Sequence, residues 1–308
     1  MGRFAYFQGR VVPIEEARLS IMSHALHYGT GCFEGIRAYW NEEHRQLYVF
    51  RLREHFERML NSCKILRITP RLSVDELVAI TLDVLRRNGD REDVYVRPLF
   101  YKSEHAIGVR LHQLSDDFAL FAVPFGAYID VEKPIRCKVS SWRHVNDNAI
   151  PMRAKVCGAY VNAALAKSEV MEEGYDEAIF LTMDGHVSEG SAENLFIVRG
   201  GRLITTPVYE DILEGITRAT IMQLAREQLE VAVEERPIDR TELYVADEVF
   251  LVGTGAQVSA VGEVDRRPVG TGEMGPITRA IQQLYFNVVK GRVPAYRHWL
   301  TPVYQEAK

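Results

Sequence analysis

The chain is poor in cysteine and lacks any long apolar run. Four of its 308 residues are cysteines, and no two of them have the Cys-x-x-Cys spacing of a zinc or redox site; they are Cys32, Cys63, Cys137 and Cys157. Scattered thiols of this kind indicate a reducing compartment without structural disulfides. No apolar segment reaches membrane-spanning length, and the N-terminal residues lack the apolar core of a signal peptide. We therefore expect a cytoplasmic protein with no metal site and no membrane partner.

Basic stripes, repeats and low-complexity segments are also absent. The formal net charge is −5, which argues against a nucleic-acid partner. With 308 residues, 47% of them hydrophobic, the chain can bury a large core divided over about two domains. Pro124, Gly126 and Pro134 predict a linker over 124–134. This linker would separate a small α+β domain, 1–123, from a larger domain, 135–308.

Local patterns predict the main helices and strands. A helix over 54–66 has an apolar stripe, and a second helix, Val74–Asn88, has a capping box from Ser73 to Glu76 and a stop at Gly89. Further predicted elements are an N-terminal hairpin, strands near 46–50, 94–101, 118–123, 136–140, 248–252 and 257–264, a helix from about 158, a hairpin through 199–202, and a last helix near 276–289.

Lys155 is set among small apolar residues just before a helical run. An ammonium in such a setting loses solvation, which favours the neutral amine that attacks aldehydes. The ordinary alternative is a solvated surface lysine, which is the fate of most lysines. Lys155 therefore needs chemical partners elsewhere in the chain before it indicates a function.

Three later segments offer such partners. The segment 187–196 places Glu189, Glu193 and Asn194 in a Gly/Ser turn before an apolar strand, where a carboxylate would meet a pyridinium nitrogen. The segment 213–218 opens a helix whose free N–H groups would bind phosphate, and 250–256 runs from a strand into a glycine turn that also suits an anion. Each has an ordinary reading as a solvated loop, a helix start or a turn. Together, an amine, a carboxylate and two anion cradles are what pyridoxal phosphate requires.

A strand near 94–101 adds a carboxylate receptor. Alternate residues of a strand share a face, so Tyr95 and Arg97 point the same way. A guanidinium beside a phenol binds carboxylates. The alternative is an edge strand with a wet face, which Pro98 would suit.

The ordered motifs resemble those of branched-chain amino acid aminotransferases of the pyridoxal-phosphate fold type IV group. The resemblance covers nearly the whole chain, from SHALHYGTGCFEGIR at 23–37 through YVRP at 95–98, Lys155 and SEG at 188–190 to ADEVF at 246–250. It implies an α+β fold with a small N-terminal α/β domain and a larger C-terminal domain, which has a mixed, barrel-like β core and flanking helices. It also implies amino transfer between leucine, isoleucine or valine and 2-oxoglutarate, in a homodimer or larger homo-oligomer with sites at the dimer interface.

The same resemblance implies the role of each site residue. Lys155 would hold the cofactor and act as the catalytic base, Glu189 would pair with the pyridine nitrogen, and Tyr160 would bind the ring hydroxyl. The phosphate would be bound by Arg58, Ile216, Thr217 and Thr254, although sequence alone predicts a solvated Arg58, far from the apolar stripe of its helix. The substrate would be bound by Tyr95, Arg97, Thr254, Gly255 and Ala256, with pocket walls from Phe33, Gly35, Phe125 and Tyr128 and bordering loops from Tyr28, Ile107 and Val109.

Several alternatives stay open at this point. D-amino acid aminotransferase and aminodeoxychorismate lyase share the fold, but the sequences YVR at 95–97 and GTG at 253–255 favour the branched-chain enzyme. The chain departs from the usual family residues at Phe125, Cys157, Ala159, Glu214 and Gly255. Of these, the small residue in the carboxylate turn, Gly255, and the changed pocket wall, Phe125, predict some D-amino acid or primary amine turnover. In other classes, a nicotinamide-dependent oxidoreductase is disfavoured because the glycines at 29, 31 and 35 are spaced one residue too far apart for the dinucleotide fingerprint. A non-catalytic small-molecule-binding protein is the remaining alternative.

Overall fold

Residues 2–126 and 131–304, which the computed structural model describes, form strands and helices in mixed order. The strands are β1 (Phe4–Phe7), β2 (Arg10–Pro13), β3 (Gly31–Phe33), β4 (Ile36–Asn41), β5 (Gln46–Phe50), β6 (Val94–Lys102), β7 (Asp116–Pro124), β8 (Ile135–Arg143), β9 (Glu177–Leu181), β10 (Val187–Gly190), β11 (Asn194–Arg199), β12 (Arg202–Thr205), β13 (Val233–Glu235), β14 (Glu248–Gly253), β15 (Gln257–Val264), β16 (Arg267–Pro268) and β17 (Leu300–Pro302). The α-helices are α1 (His24–Tyr28), α2 (Leu52–Ile65), α3 (Val74–Asn88), α4 (Tyr160–Glu172), α5 (Ile216–Gln228) and α6 (Pro276–Val289).

The chain divides into two compact units. Unit 1 consists of Met1–Gly126, Ala154–Gly158 and Asn287–Lys308, and unit 2 of Ala127–Arg153 and Ala159–Phe286. The short segment that carries Lys155 therefore belongs to unit 1. The domain bounds expected from the sequence, with a linker over 124–134, stay a prediction, and positions 127–130 of that linker lie outside the described residues.

The sheet of unit 1 is antiparallel and is organised around β6. Its strand order is β17-β5-β4-β6-β7-β1-β2. One edge of β6 pairs with β4 along its first half and with β3 along its second half, while the other edge pairs with β7 over its whole length. The edge-strand alternative for this segment is therefore wrong, because Pro98 lies in a strand with neighbours on both sides.

The helix α3 begins and ends at the residues that its local sequence signals predict. Ser73 accepts a hydrogen bond from the Glu76 backbone, the Glu76 side chain accepts one from the Ser73 backbone, and Gly89 ends the helix in the left-handed conformation. The inward residues Leu77 and Leu85 are fully buried, and each contributes about 1.5–3 kcal/mol of burial free energy. The predicted bounds of this helix are confirmed.

Unit 2 has a mixed sheet in the order β10-β9-β8-β15-β14-β11-β12-β13, with β16 beside β15. β8 pairs in parallel with both β9 and β15, and β12 pairs in parallel with β13, while the remaining neighbours are antiparallel. Its core is made of aliphatic side chains from these strands, including Ile179, Leu195, Ile197, Val249 and Leu251. The expected mixed sheet with flanking helices is confirmed.

No α-helix in the described parts of the chain combines the length and the apolar character needed to cross a lipid bilayer. Within residues 2–126 and 131–304, no three His, Cys, Asp or Glu side chains come together as a group that could hold a metal ion.

Candidate active site

Lys155 is held in place by hydrogen bonds at both its backbone N–H and its backbone carbonyl. The Lys155 N–H donates to the Ser62 hydroxyl at 3.2 Å, and the Lys155 carbonyl accepts the Phe33 N–H at 3.1 Å. The side chain is half-buried, and its Nζ lies 5.2 Å from the centre of the Phe33 ring. The ammonium or amine of Lys155 therefore faces an aromatic surface rather than bulk water alone.

Two motif glycines bring the lysine segment close to the N-terminal motif. Gly158 donates its N–H to the Gly29 carbonyl at 3.2 Å, and a Cβ added to Gly29 would lie 2.7 Å from the Gly158 Cα. Gly29 also ends α1 with a φ of 63°, a conformation that glycine adopts at little cost. Both the contact and the turn thus require glycine at position 29.

Arg97 and Tyr95 share one face of β6, as predicted. Arg97 Nη2 donates to the Tyr95 hydroxyl at 3.0 Å, and the guanidinium carbon lies 4.5 Å from the centre of the Phe33 ring. The Tyr95 and Phe125 rings are 5.0 Å apart, and a Cβ on Gly35 would lie 2.1 Å from the Tyr95 hydroxyl. The five residues therefore form one aromatic wall with a cation in it.

The Nε atom of Arg97 is buried and has no hydrogen-bond partner among the described residues. A buried, unsatisfied donor on a cation is costly. The position therefore suits an anionic ligand that would accept from it.

Arg58 is not solvated, contrary to the expectation from sequence alone. Its side chain is 13% exposed, and it donates from Nε and Nη2 to the two carboxylate oxygens of Glu34, at 2.8 and 2.7 Å. The α2 helix buries a second, polar stripe beside its apolar one, with His55 and Ser62 on it. Polar residues at positions i, i+3 and i+7 are the sequence signal for this stripe.

Of the remaining unit 1 positions, Tyr28 contacts the loop that carries Ile107 and Val109. Ile107 and Val109 are 85% and 76% exposed in a loop, and the Gly108 N–H between them donates to the Tyr28 hydroxyl at 3.1 Å. The His24 ring donates from Nε2 to the Gly108 carbonyl at 2.7 Å. Tyr128 lies outside the described residues.

Glu189 of unit 2 is a buried strand residue rather than a loop residue. It lies in β10, is 6% exposed, and its Oε2 accepts hydrogen bonds from Asn194 Nδ2 at 2.7 Å and from the Leu213 N–H at 3.2 Å. The ordinary reading of a solvated loop glutamate is therefore wrong. Both of these donors are neutral groups, so they orient the carboxylate without cancelling its negative charge.

His144 lies beside Glu189, and no sequence pattern points to it. Its Nε2 is 3.9 Å from Glu189 Oε1, and its ring stacks on Phe180 with centres 4.6 Å apart. Burial lowers the pKa of His144 to about 4, against the opposing effect of a hydrogen bond to the Asp211 backbone. Despite the short distance to a carboxylate, the ring is therefore neutral at pH 7 and the two groups are not an ion pair.

The tautomer of His144 follows from its other contact. Ser188 Oγ donates its single proton to the Glu210 carbonyl at 2.7 Å, so it accepts from His144 Nδ1 at 2.9 Å. In the neutral ring the proton is then on Nδ1, and Nε2 carries the lone pair. His144 thus places no positive charge against Glu189.

Asn194 connects Glu189 to the start of α5. Its Nδ2 also donates to the Leu213 carbonyl at 2.9 Å, and a Cβ on Gly215 would lie 1.9 Å from its Oδ1. Gly215 is the extended N-cap of α5 and, as a glycine, has no side chain to cap the helix. The first N–H groups of α5 are those of Ile216 and Thr217, and backbone N–H groups at such a helix start suit an anion.

The remaining predicted site residues of unit 2 are those of the turn after β14, together with Tyr160. Thr254, Gly255 and Ala256 form the turn between β14 and β15, and the left-handed residue there is Gln257, with a φ of 59°, not either glycine. A Cβ on Gly253 would lie 3.3 Å from the Ala192 carbonyl, so this turn packs beside the 191–193 turn. Tyr160 is the half-buried first residue of α4.

Comparison with known proteins identifies the family. The family model of the class IV aminotransferases matches residues 31–264. The chain belongs to the class IV aminotransferases. It is 52% identical to a probable branched-chain-amino-acid aminotransferase of Aquifex aeolicus over 98% of this chain and 97% of that protein.

Solved class IV aminotransferases share the fold as well. The branched-chain aminotransferase of Thermoproteus uzoniensis with norvaline has a TM-score of 0.95 at 44% identity, covering 99% of this chain and 100% of that one. The branched-chain amino acid aminotransferase of Thermobaculum terrenum, solved in its PLP-bound holo-form, has a TM-score of 0.95 at 38% identity, covering 99% of each chain. The expected fold type IV is confirmed.

Proposed function

We propose that this class IV aminotransferase moves the amino group between leucine, isoleucine or valine and 2-oxoglutarate, giving branched 2-oxo acids and L-glutamate, with pyridoxal phosphate as its cofactor. Full-length relatives at 42–52% identity are branched-chain aminotransferases. The observation that carries the proposal is the position of Arg97, which lies over the Phe33 ring and bonds Tyr95. One wall then offers apolar rings to a branched side chain and a cation to the distal carboxylate of glutamate.

The residues present fit pyridoxal phosphate. The cofactor needs an amine for its aldehyde, an acceptor for its ring N–H and donors for its phosphate. Lys155 is a half-buried amine, Glu189 is a buried carboxylate oriented by Asn194, and α5 begins at Ile216 without a side-chain cap. The amine, the carboxylate and the helix start thus match the aldehyde, the ring nitrogen and the phosphate of the cofactor.

In this proposal Lys155 carries the cofactor. Tyr160 binds the ring hydroxyl, and the phosphate is bound by the remaining cofactor residues, Arg58, Ile216, Thr217 and Thr254. The uncapped start of α5 and the turn at Thr254 supply backbone N–H groups, which suit a dianion.

In the proposed mechanism, Lys155 transfers the substrate proton and Glu189 holds the proton on the ring nitrogen. When bound, pyridoxal phosphate supplies an acceptor for the electron pair that remains when the substrate loses its α-proton. The Lys155 amine would take that proton and deliver it to the aldehyde-derived carbon of the cofactor in the same half-reaction, and with 2-oxoglutarate it would carry out the reverse transfer. The Glu189 carboxylate keeps the proton on the ring nitrogen, since an adjacent negative charge favours the pyridinium form. The neutral ring of His144 adds no competing positive charge.

Substrate contacts complete the proposal. Arg97 takes the side-chain carboxylate of glutamate, and Tyr95 takes the α-carboxylate together with the N–H groups of Thr254 and Gly255, with Ala256 completing that turn. The side chain is received by Phe33, Gly35, Phe125 and Tyr128. The bordering loop residues are Tyr28, Ile107 and Val109.

We also propose a homodimer or larger homo-oligomer with its sites at the dimer interface. Unit 1 has a cluster of exposed apolar side chains on two chain segments, which are joined by the hydrogen bond between His24 and Gly108. The exposed residues are Leu19, Ile21, Met22, Leu26, Ile107 and Val109. Burying such a cluster against a second subunit is favourable. Ile107→Lys should weaken self-association in light scattering, whereas Val245→Lys, at an exposed apolar position of unit 2, should not; equal behaviour of both variants would contradict this interface.

We propose a cytoplasmic location as well. Cys32 and Cys63 are free thiols although their sulfur atoms are only 3.5 Å apart. Unbonded neighbouring thiols are typical of a reducing compartment. A disulfide found in protein isolated under alkylating conditions would contradict this location.

The proposed activity is tested with the cofactor's own absorbance. The protein loaded with pyridoxal phosphate is mixed with a panel of amino acids that includes both enantiomers of leucine and valine, L-isoleucine, L-glutamate, and a primary (R)-amine. The proposal predicts fast spectral conversion with L-leucine, L-isoleucine, L-valine and L-glutamate. Faster conversion with the D-amino acids or the amine would show that the alternative transaminase activity is the principal one.

A further inference from the structure

Glu34 is a fully buried carboxylate that none of the proposed roles uses. It lies in the short connection between β3 and β4, between the pocket residues Phe33 and Gly35. Its backbone N–H donates to the Pro98 carbonyl at 3.1 Å, which fixes the connection against β6. A buried carboxylate at this position is costly unless strong donors compensate it.

Three charge-assisted or polar donors converge on Glu34. Arg58 donates from Nε to Oε1 at 2.8 Å and from Nη2 to Oε2 at 2.7 Å, and His55 donates from Nδ1 to Oε2 at 2.8 Å. Burial alone would raise the pKa of Glu34, but Arg58 and His55 outweigh it, and the pKa lies well below its usual range. Glu34 is therefore an anion whenever the protein is folded at neutral pH.

The two parallel contacts fix the guanidinium plane of Arg58. An arginine held by one hydrogen bond still rotates, whereas paired contacts with a carboxylate define both position and plane. Burial lowers the pKa of His55 despite its bond to Glu34, so the ring is neutral and does not repel Arg58. The Arg58 carbonyl also accepts from Ser62, whose hydroxyl accepts the Lys155 N–H, so the arginine and the lysine are connected through one serine.

We propose that Glu34 is a positioning residue that orients Arg58 toward the cofactor phosphate. The proposal rests on the proposed function, in which Arg58 binds that phosphate. Glu34 touches neither cofactor nor substrate in this account. It couples the phosphate contact to the pocket wall, because Glu34 lies in the chain directly between Phe33 and Gly35.

The test compares two ligands that differ only in the phosphate. Dissociation constants of pyridoxal phosphate and of pyridoxal are measured by absorbance on the cofactor-free protein, for the wild type and for Glu34→Gln, Arg58→Met and the double variant. Loss of an oriented, charge-assisted contact should weaken pyridoxal phosphate by about 10- to 100-fold in Glu34→Gln. Pyridoxal should bind Glu34→Gln and wild type alike. In the Arg58→Met background, Glu34→Gln should add little, because there is no longer an arginine to orient.

A matched control and a second variant keep the test independent of folding. Glu57→Gln removes an exposed carboxylate next to Arg58 on the same helix and should change neither constant. Arg58→Lys keeps the charge but cannot make the paired contact with Glu34, so it should weaken pyridoxal phosphate about as much as Glu34→Gln does.

The possible results distinguish failure of the positioning role of Glu34 from failure of the proposed function. Equal weakening of both ligands by Glu34→Gln would overturn the positioning role in favour of a general structural one, and wild-type affinity in Arg58→Lys would also overturn it. A wild-type protein that binds no pyridoxal phosphate at all would instead refute the proposed function. Full additivity of the two single substitutions in the double variant would show that Glu34 does not act through Arg58.

Discussion

Arg97 and Tyr95, two residues apart on β6, are joined by a hydrogen bond of 3.0 Å from the guanidinium to the phenol oxygen. The same guanidinium lies against the Phe33 ring and leaves a buried Nε without an acceptor among the described residues. The pair therefore presents one unused donor at an aromatic wall. We expect this arrangement to distinguish substrates with a second carboxylate from those with an aliphatic side chain.

Arg97→Leu should act unevenly on the two half-reactions. Removing a charge-assisted contact to a carboxylate typically costs about 1.5–3 kcal/mol, so the glutamate and 2-oxoglutarate half-reaction should slow by about 10- to 100-fold. Leucine should be affected much less, because it has no distal carboxylate. Single-turnover absorbance changes measure each half separately. An equal loss with both substrates would mean that Arg97 serves the fold or the shared α-carboxylate.

Glu189→Gln should retain the cofactor but slow the proton transfer. The amide keeps the shape of the side chain and its contact with Leu213 but removes the negative charge that holds the ring proton. We expect the single-turnover rate to fall by more than about tenfold, which corresponds to about 1.4 kcal/mol in the barrier. Glu193→Gln, at the neighbouring buried carboxylate, is the matched control. A larger effect from Glu193→Gln would reassign the role.

The neutral state of His144 predicts a pH dependence of stability. In the unfolded chain the histidine has an ordinary pKa of about 6.5, whereas in the folded protein its pKa is about 4. Between these values the unfolded chain binds a proton that the folded one does not, so stability falls as the pH drops from about 6.5 to about 4. The loss from this residue is about 3 kcal/mol at the lower limit.

This pH dependence is measured by urea unfolding of the cofactor-free protein at several pH values. His144→Gln should flatten the curve over that pH range relative to the wild type, while His112→Gln, at an exposed histidine, should leave it unchanged. His55 contributes in the same direction in all three proteins, so the comparison isolates His144. Identical curves for wild type and His144→Gln would contradict the neutral, buried ring.

Sequence patterns predict elements with local causes and miss those with distant causes. The α3 helix is predicted to the residue because its cap, apolar positions and glycine stop all lie within 73–89. Arg58 is predicted to be solvated, wrongly, because its burial comes from Glu34, which is 24 residues away in sequence. Helical periodicity describes only the faces of one helix, and it carries no information about a carboxylate delivered by a sheet connection.

In the candidate site, too, features with local causes are predictable from the sequence and features with distant causes are not. The same-face placement of Tyr95 and Arg97 follows from strand alternation and is predictable. The place of His144 is not, since its position beside Glu189 depends on the parallel pairing of β8 with β9 and on the antiparallel pairing of β9 with β10. No spacing rule relates Glu189 on β10 to the residue that follows β8, because β9 lies between these two strands.

The central claim, that Lys155 is the amine that carries pyridoxal phosphate, is tested most directly by reduction and peptide mapping. The protein is loaded with the cofactor, reduced with borohydride, digested and analysed by mass spectrometry, with Lys155→Ala processed in parallel. The account predicts one pyridoxyl label, on Lys155, in the wild type, and no label and no transamination in Lys155→Ala. A label on Lys133, Lys138 or Lys167, or turnover by Lys155→Ala, would contradict it.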